Sequence, residues 1–199
     1  MLTRARHFID MHKASTVIYI LSLAAYYDQW ENRTLLLYFS THGIYCLLWL
    51  HKSFTFPDKN WEQPTGAEGV LIWVVLCPFW ITPWYIASKS YEASAWMMAL
   101  AVCTYVVGMF YHFVSDMQKS TYLSLRTGLI SEGLWSRTRN PNYFGEFLTY
   151  LGFSLLVCHW ATFIGFALLI IIVWFPNMQK KDKSLSRYPE FEAYKSKTG

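Results

Sequence analysis

The sequence predicts an all-α polytopic integral membrane protein of about six transmembrane helices, and three observations carry that reading. Hydrophobic residues make up 54% of the 199-residue chain and charged residues only 15%, a balance unlike that of an ordinary soluble domain. Six apolar runs recur along the chain, separated by short polar stretches. The basic residues sort to one side of those runs. A bilayer core about 30 Å thick calls for roughly 20 apolar residues per helix, so the length allows six or seven spans and leaves little chain for a soluble domain.

The runs are Ala14–Tyr27, Thr34–Leu50, Gly69–Ala87, Ala93–Val114, Tyr143–Val157 and Trp160–Phe175. The chain reads as one membrane domain over 1–199: four N-terminal helices within 14–114, then a polar loop, a helical hairpin and a tail over 115–199. With both termini on the cytoplasmic side, all but Arg33 and Lys89 of the 17 lysines and arginines fall on that side, as the positive-inside rule requires. Adding or removing one helix scatters the same charges over both faces, so the charge pattern supports six spans independently of hydropathy. The basic segment Met1–Lys13 leads into a run ending in Tyr-Tyr-Asp, without the small-residue site of a cleaved signal peptide.

Several features carry only structural weight. Tyr26, Tyr27, Trp30, Trp49, Trp61, Trp84, Tyr85, Trp160 and Trp174 crowd the run ends, where amphipathic rings favour the headgroup region. Pro78 and Pro83 each remove a backbone donor from the third run and predict a bend there. Cys46, Cys77, Cys103 and Cys158 lack the spacing of a zinc site or disulfide framework and read as reduced packing residues; no metal site is expected. Asn32-Arg33-Thr34 matches the glycosylation pattern but abuts a helix start, where a modifying enzyme has poor access.

The chemistry concentrates in Gly133-Leu-Trp-Ser-Arg-Thr-Arg-Asn-Pro-Asn-Tyr-Phe-Gly-Glu146, which leads from a loop into the fifth helix. Asn140 suits an N-cap and Pro141 the first helical position. Asn142 and Glu146 are four apart and share a helix face, so an amide and a carboxylate point the same way just inside the membrane. A buried carboxylate costs several kcal/mol unless paired, which makes Glu146 a functional candidate, with pairing to a neighbouring helix the structural alternative. Arg137 and Arg139 flank a helix N-terminus that already favours anions, though the same charges also serve topology. His112, Ser115 and Asp116 end the fourth helix on adjoining positions, where they could hold ribose or amide groups or cap the helix. The basic, aromatic tail from Lys180 to Lys197 suits a membrane surface.

Asn-Pro-Asn-Tyr-Phe-Gly-Glu, followed after a hairpin by Arg-Tyr-Pro-Glu-Phe-Glu-Ala-Tyr-Lys, resembles the C-terminal domain of the steroid 5-alpha-reductase and sterol reductase superfamily, especially its compact branch. The resemblance covers about Val106 to Thr198. It implies NADPH-dependent reduction of a carbon–carbon double bond in a lipid or steroid-like substrate taken from the membrane lipid phase, with endoplasmic reticulum as the family's usual address and no nucleic-acid partner. It further implies that Asn142 and Glu146, with Tyr143 between them, meet the nicotinamide end of the cofactor, and that Ser115 and Asp116, beside His112, also bind it. Arg126, Arg137, Arg139 and Tyr188 correspond to the residues that hold its phosphates and adenosine. His51-Lys-Ser-Phe54 resembles the segment that follows the family's catalytic tyrosine, but Trp49 stands at the tyrosine position; Tyr45, one turn earlier, is the expected substitute acid, and Glu31 the expected carboxylate orienting the substrate.

Two other functions remain open. Membrane methyltransferases using S-adenosylmethionine share the hairpin and an Arg-His-Pro-x-Tyr-x-Gly motif; here an asparagine replaces that histidine, Asn142 and Glu146 are added, and the paired glutamates after the last helix are missing. A non-catalytic subunit of a larger membrane assembly would keep the fold without the chemistry. Whether Asn142, Glu146 and Asp116 face one cavity discriminates that case.

Overall fold

The computed structural model describes residues 3–198, and each of the six apolar runs lies on a helix. Six long helices result: α1 Ala5–Tyr26, α2 Arg33–Thr55, α3 Ala67–Ser88, α4 Ala95–Leu125, α5 Pro141–Leu155 and α6 Trp160–Leu185, followed by a short α7 Phe191–Lys195. No strand occurs among the described residues, only one isolated bridge between Arg4 and Pro64. Helices α3, α4 and α6 are long and apolar enough to cross a membrane by length and composition. Large apolar side chains such as Ile18, Leu47, Phe110 and Ile171 cover the outside, as a lipid-facing surface requires. The protein is a polytopic all-α membrane protein.

Helix α1 begins nine residues before the apolar run that predicts it, so Asp10, His12 and Lys13 lie within the helix and not ahead of it. Inward partners stabilise this polar start. Asp10 accepts hydrogen bonds from Trp49 Nε1 at 3.1 Å and Ser53 Oγ at 2.8 Å, both on α2. Arg6 donates to the Ser53 carbonyl at 2.7 Å and pairs with Glu62 at 3.0 Å in the loop after α2.

At the opposite end of the bundle, the turn before α2 is closed from outside its own helix. Asn32 is buried and accepts from Leu35 N at 2.8 Å as the N-cap, while Glu92 accepts from Arg33 N at 2.9 Å and Thr34 Oγ1 at 3.2 Å. Its amide also donates to the Tyr91 carbonyl at 3.2 Å, so Asn32 ties two turns together.

The two irregular helices follow their prolines. In α3 the segment Cys77–Trp80 tightens to a 3-10 turn at Pro78, and Trp80 Nε1 reaches Thr16 Oγ1 at 2.9 Å across to α1. In α6 the segment Ile170–Trp174 widens to π-helix just before Pro176, which supplies no N–H for the carbonyl of residue 172.

Helices α4 and α5 pack backbone to backbone. A Cβ at Gly108 would lie 2.5 Å from Thr149 N and 2.7 Å from the Gly145 carbonyl, and one at Gly145 would strike the His112 backbone. Small residues at such a seam permit close approach in lipid, where there is no hydrophobic drive between helices. The seam fixes His112 against the start of α5, with His112 Nδ1 3.2 Å from the Asn142 carbonyl oxygen. Helix α7 returns to this end: Phe191 and Tyr194 pack on Leu129, and Tyr194 Oη donates to the Trp135 carbonyl at 2.8 Å.

Candidate functional site

A cavity of about 830 Å3 opens among α1, α2, α3, α4, α5 and α6 at the end of the bundle that carries both described chain ends. Its size lies within the range of about 300–1,000 Å3 usual for ligand pockets. Ile9, Leu71, Ile72, Leu76 and Leu169 form an apolar wall, and Asp58, Lys119, Arg139, Lys180, Lys181, Arg187 and Tyr188 form a polar, mainly basic mouth.

The inner end is polar in an otherwise apolar bundle. Glu146 accepts from Tyr45 Oη at 3.4 Å, and the Tyr45 and Tyr150 hydroxyls lie 3.4 Å apart. Lys13 Nζ donates to Tyr150 Oη at 3.1 Å and sits 3.9 Å from the centre of the Tyr45 ring. Asp116 forms a buried ion pair with Lys52, whose ammonium lies 4.8 Å from the centre of the Trp49 ring. Trp49 stacks parallel to His112, with centroids 6.1 Å apart. Two buried atoms on residues lining the cavity, Asn142 Oδ1 and His112 Nε2, have no hydrogen-bond partner among the described residues. Buried polar groups are normally satisfied, so these two mark positions where a ligand can complete the network.

His112, Asp116, Arg139, Asn142, Tyr143, Glu146 and Tyr188 are brought together around this cavity. Ser115 is not among its lining residues: its hydroxyl turns back to the His112 carbonyl at 3.1 Å, and its own carbonyl accepts from Trp135 Nε1 at 3.2 Å. Arg126 is exposed and grips both oxygens of Glu132 at 3.0 Å, and Arg137 is exposed away from the cavity. Tyr45 is fully buried behind Glu146 and Tyr150, so its hydroxyl touches the site's carboxylate without lining the space. Glu31 lies elsewhere. It is exposed in the turn before α2, at the far end of the bundle and roughly 20 Å from Tyr45 at about 1.5 Å rise per residue.

Asn140 occupies the N-cap position expected of it, but its side chain does not cap; its Oδ1 accepts from Lys181 Nζ at 2.8 Å. Lys181 also donates to the Arg139 carbonyl at 2.7 Å and lies over the Trp135 ring, clamping the start of α5 to the end of α6. Arg139 is itself held by Asp182 at 3.1 Å and by the Thr198 carbonyl at 2.9 Å.

At the inner end, Lys13, Lys52 and Tyr150 line the cavity although sequence reasoning does not single them out. The two lysines are indistinguishable in sequence from topology charges at run ends, and Tyr150 from a packing aromatic. The available signal is helical spacing: Tyr150 follows Glu146 by four positions, which places it on the same face of α5.

Asp58, in the loop after α2, is held below the ordinary carboxylate range: burial opposes its ionisation, but Lys119 at 2.7 Å, the Asn60 N–H and nearby Lys52 outweigh it. A carboxyl depressed in the folded state contributes stability that is present above its unfolded value of about 4 and is lost as pH falls through the lower folded value. Acidification below about pH 4 is therefore expected to remove about 1 kcal/mol, a value typical of a partly exposed pair. Thermal unfolding followed against pH should show this loss in the wild type and not in Asp58→Asn.

A polytopic membrane helical bundle with a cavity at one end defines the class of protein. A family profile described as "Protein of unknown function (DUF1295)" matches residues 64–198, and the chain belongs to that family. It is also similar to "Steroid 5-alpha-reductase DET2" of Arabidopsis thaliana, 24% identical over an alignment of 156 positions that covers 70% of this chain. The matched region spans 59% of that relative's length. The family match includes the Asn142–Glu146 segment, in keeping with the superfamily resemblance read from it.

Proposed function

We propose that the protein is an NADPH-dependent reductase of a carbon–carbon double bond in an apolar, lipid or steroid-like substrate. The observation that carries the reading is one cavity joining a basic mouth to an inner end formed by His112, Asn142 and Glu146. NADPH has the same division, with phosphates that need cations near water and a nicotinamide that needs a dry pocket. When bound, it supplies a hydride. The unpartnered Asn142 Oδ1 suits the amide donor of a carboxamide, and Glu146 offers a second acceptor on the same face. Arg139, Lys180, Lys181 and Arg187 suit the phosphates, with Tyr188 beside them for the adenosine. Asp116, paired with Lys52, adds a carboxylate beside His112 to the polar lining of the inner end.

The chain's own groups exclude water and orient the reacting parts. Tyr45 acts as a positioning residue: its hydroxyl holds Glu146 from behind and leaves Tyr150 as the tyrosine facing the cavity. The apolar wall of Ile9, Leu71, Ile72 and Leu76 accepts a hydrocarbon skeleton. Convergence of Asn142, Glu146 and Asp116 on one cavity supports a ligand-binding role over a purely structural subunit.

Equilibrium binding of NADPH and of S-adenosylmethionine, each to detergent-purified protein and to Glu146→Gln, tests the reading. NADPH alone should bind, and the variant should weaken it about tenfold, the loss of one charge-assisted hydrogen bond. Selective binding of S-adenosylmethionine would replace the reductase with a methyltransferase, and binding of neither would favour a non-catalytic subunit.

A further inference from the structure

Of the lysines that line the cavity, Lys13 is placed unlike the rest. Lys52 and Lys119 pair with Asp116 and Asp58, Lys181 donates to two oxygens at the start of α5, and Lys180 is exposed. Lys13 is 4% exposed and has no carboxylate within ion-pair distance among the described residues. Its Nζ lies 3.1 Å from Tyr150 Oη, and the ring centres of Tyr45, Trp49 and Tyr150 surround it at 3.9, 5.3 and 5.5 Å. A lysine desolvated in an apolar pocket is an amine nucleophile, because no counter-ion holds its charge and its lone pair becomes free. Tyr150 also lines the cavity, and its ring is fixed by stacking on Phe79 at 4.3 Å between centroids. A phenol within hydrogen-bond reach of the amine can carry protons to and from it. Ile9, one turn before Lys13 on α1, continues the same helix face into the apolar wall.

We propose that Lys13 is a covalent capture site for an apolar aldehyde, which it holds as an imine with Tyr150 as the proton carrier. The proposal goes beyond the reductase reading and does not depend on it. The Lys13 lone pair attacks the aldehyde carbon, and a carbon–nitrogen bond forms. The carbonyl π pair moves to oxygen, which takes the Tyr150 proton, and the nitrogen returns a proton to Tyr150. The resulting carbinolamine then loses water. Tyr150 protonates the leaving oxygen, the nitrogen lone pair forms the carbon–nitrogen double bond, and the second nitrogen proton restores Tyr150. One amine and one aldehyde give one imine and one water, with no oxidant or reductant. Where the imine takes up a proton, its charge faces the rings of Tyr45 and Trp49. An aldehyde suits the site better than a ketone, because the single substituent on its carbon leaves room among three ring faces and can lie along the apolar wall. A lysine held in an ion pair is a poor nucleophile, which separates Lys13 from Lys52.

The test uses dodecanal, delivered in detergent to the intact purified protein with cyanoborohydride, which reduces an imine to a stable secondary amine. Mass mapping of wild-type peptides should place a dodecyl group on Lys13. It should form there at least about tenfold faster than on the exposed Lys59 and Lys89, since a solvated lysine is almost wholly protonated at neutral pH. The wild-type map is read by itself, so it does not require any variant to fold. Lys13→Arg, which keeps the charge, should lose this adduct and leave labelling of Lys59 and Lys89 unchanged. Tyr150→Phe keeps the amine and should slow its labelling about a hundredfold, the lower end of what general acid–base catalysis supplies. Labelling of Lys13 no faster than of Lys59 and Lys89, or slower than of Lys52, would overturn the capture site. An unchanged rate in Tyr150→Phe would overturn Tyr150 as its proton carrier.

Discussion

Gly145→Ala is expected to destabilise the protein by about 1–3 kcal/mol, whereas Gly43→Ala, adding the same methyl group to α2, should stabilise it by up to about 1 kcal/mol. The contrast comes from what the new carbon meets. At Gly145 it meets the backbone nitrogen and Cα of His112 and the carbonyl of Gly108 at 2.7 Å, none of which can swing aside as a side chain can. The α4–α5 seam must widen, and widening it moves His112 away from the Asn142 carbonyl that fixes its ring. At Gly43 the added carbon meets nothing within 4 Å beyond its chain neighbours and its own helix backbone, so only the gain in helix propensity remains. Thermal unfolding in one detergent should show opposite signs for the two variants, and ligand binding to the cavity should fall only in Gly145→Ala. Equal unfolding temperatures would mean that the seam is looser than its geometry.

Breaking the Lys52–Asp116 pair from one side is expected to cost about 3–5 kcal/mol, and replacing both partners should restore most of the loss. Both side chains are nearly fully buried, so Lys52→Met strands a carboxylate and Asp116→Leu strands an ammonium. In the double variant no charge is left without a partner, and the long apolar side chains fill the vacated space. A four-cornered thermal-unfolding cycle measures the coupling directly. Additive single losses would show that solvent reaches the pair and that the cavity is wetter at Asp116 than its burial implies. On the proposed reductase reading, cofactor affinity separates structure from function: the double variant should recover stability and still bind NADPH less well, because polar lining at the inner end of the cavity has been replaced by hydrocarbon.

Much of the architecture is legible without coordinates because the membrane simplifies the problem. A backbone in hydrocarbon must satisfy its own hydrogen bonds, so each long apolar run becomes a helix, and all six runs do. Boundaries are less legible where polar residues continue a helix. The first run starts at Ala14, yet α1 starts at Ala5, because Asp10 and Arg6 find partners on α2 and on the loop after it that no local pattern reveals. Asn140 has the residue type and position of a cap, but the approach of Lys181 from α6 gives its side chain a stronger partner.

The candidate site divides along the same line. Asn142 and Glu146 are readable as a shared face because helical spacing within one segment is a local property. Glu31, by contrast, is matched to the site only through a weak stretch of likeness, and the length of α2 carries it to the far end of the bundle.

The sequence by itself determined a helical membrane chain, a break in regular helix at Pro78, and the face of α5 that carries an amide and a carboxylate, since each depends on hydropathy and periodicity within a few turns. Only the tertiary structure decided which charges belong to topology and which to the site. Lys13, Lys52, Arg126 and Arg137 carry the same charge and look alike along the chain. Packing turns Lys13 and Lys52 into the cavity and leaves Arg126 and Arg137 in the open, because a lysine on an inward helix face must find Tyr150 or Asp116, while an arginine in a polar loop is free to remain in water.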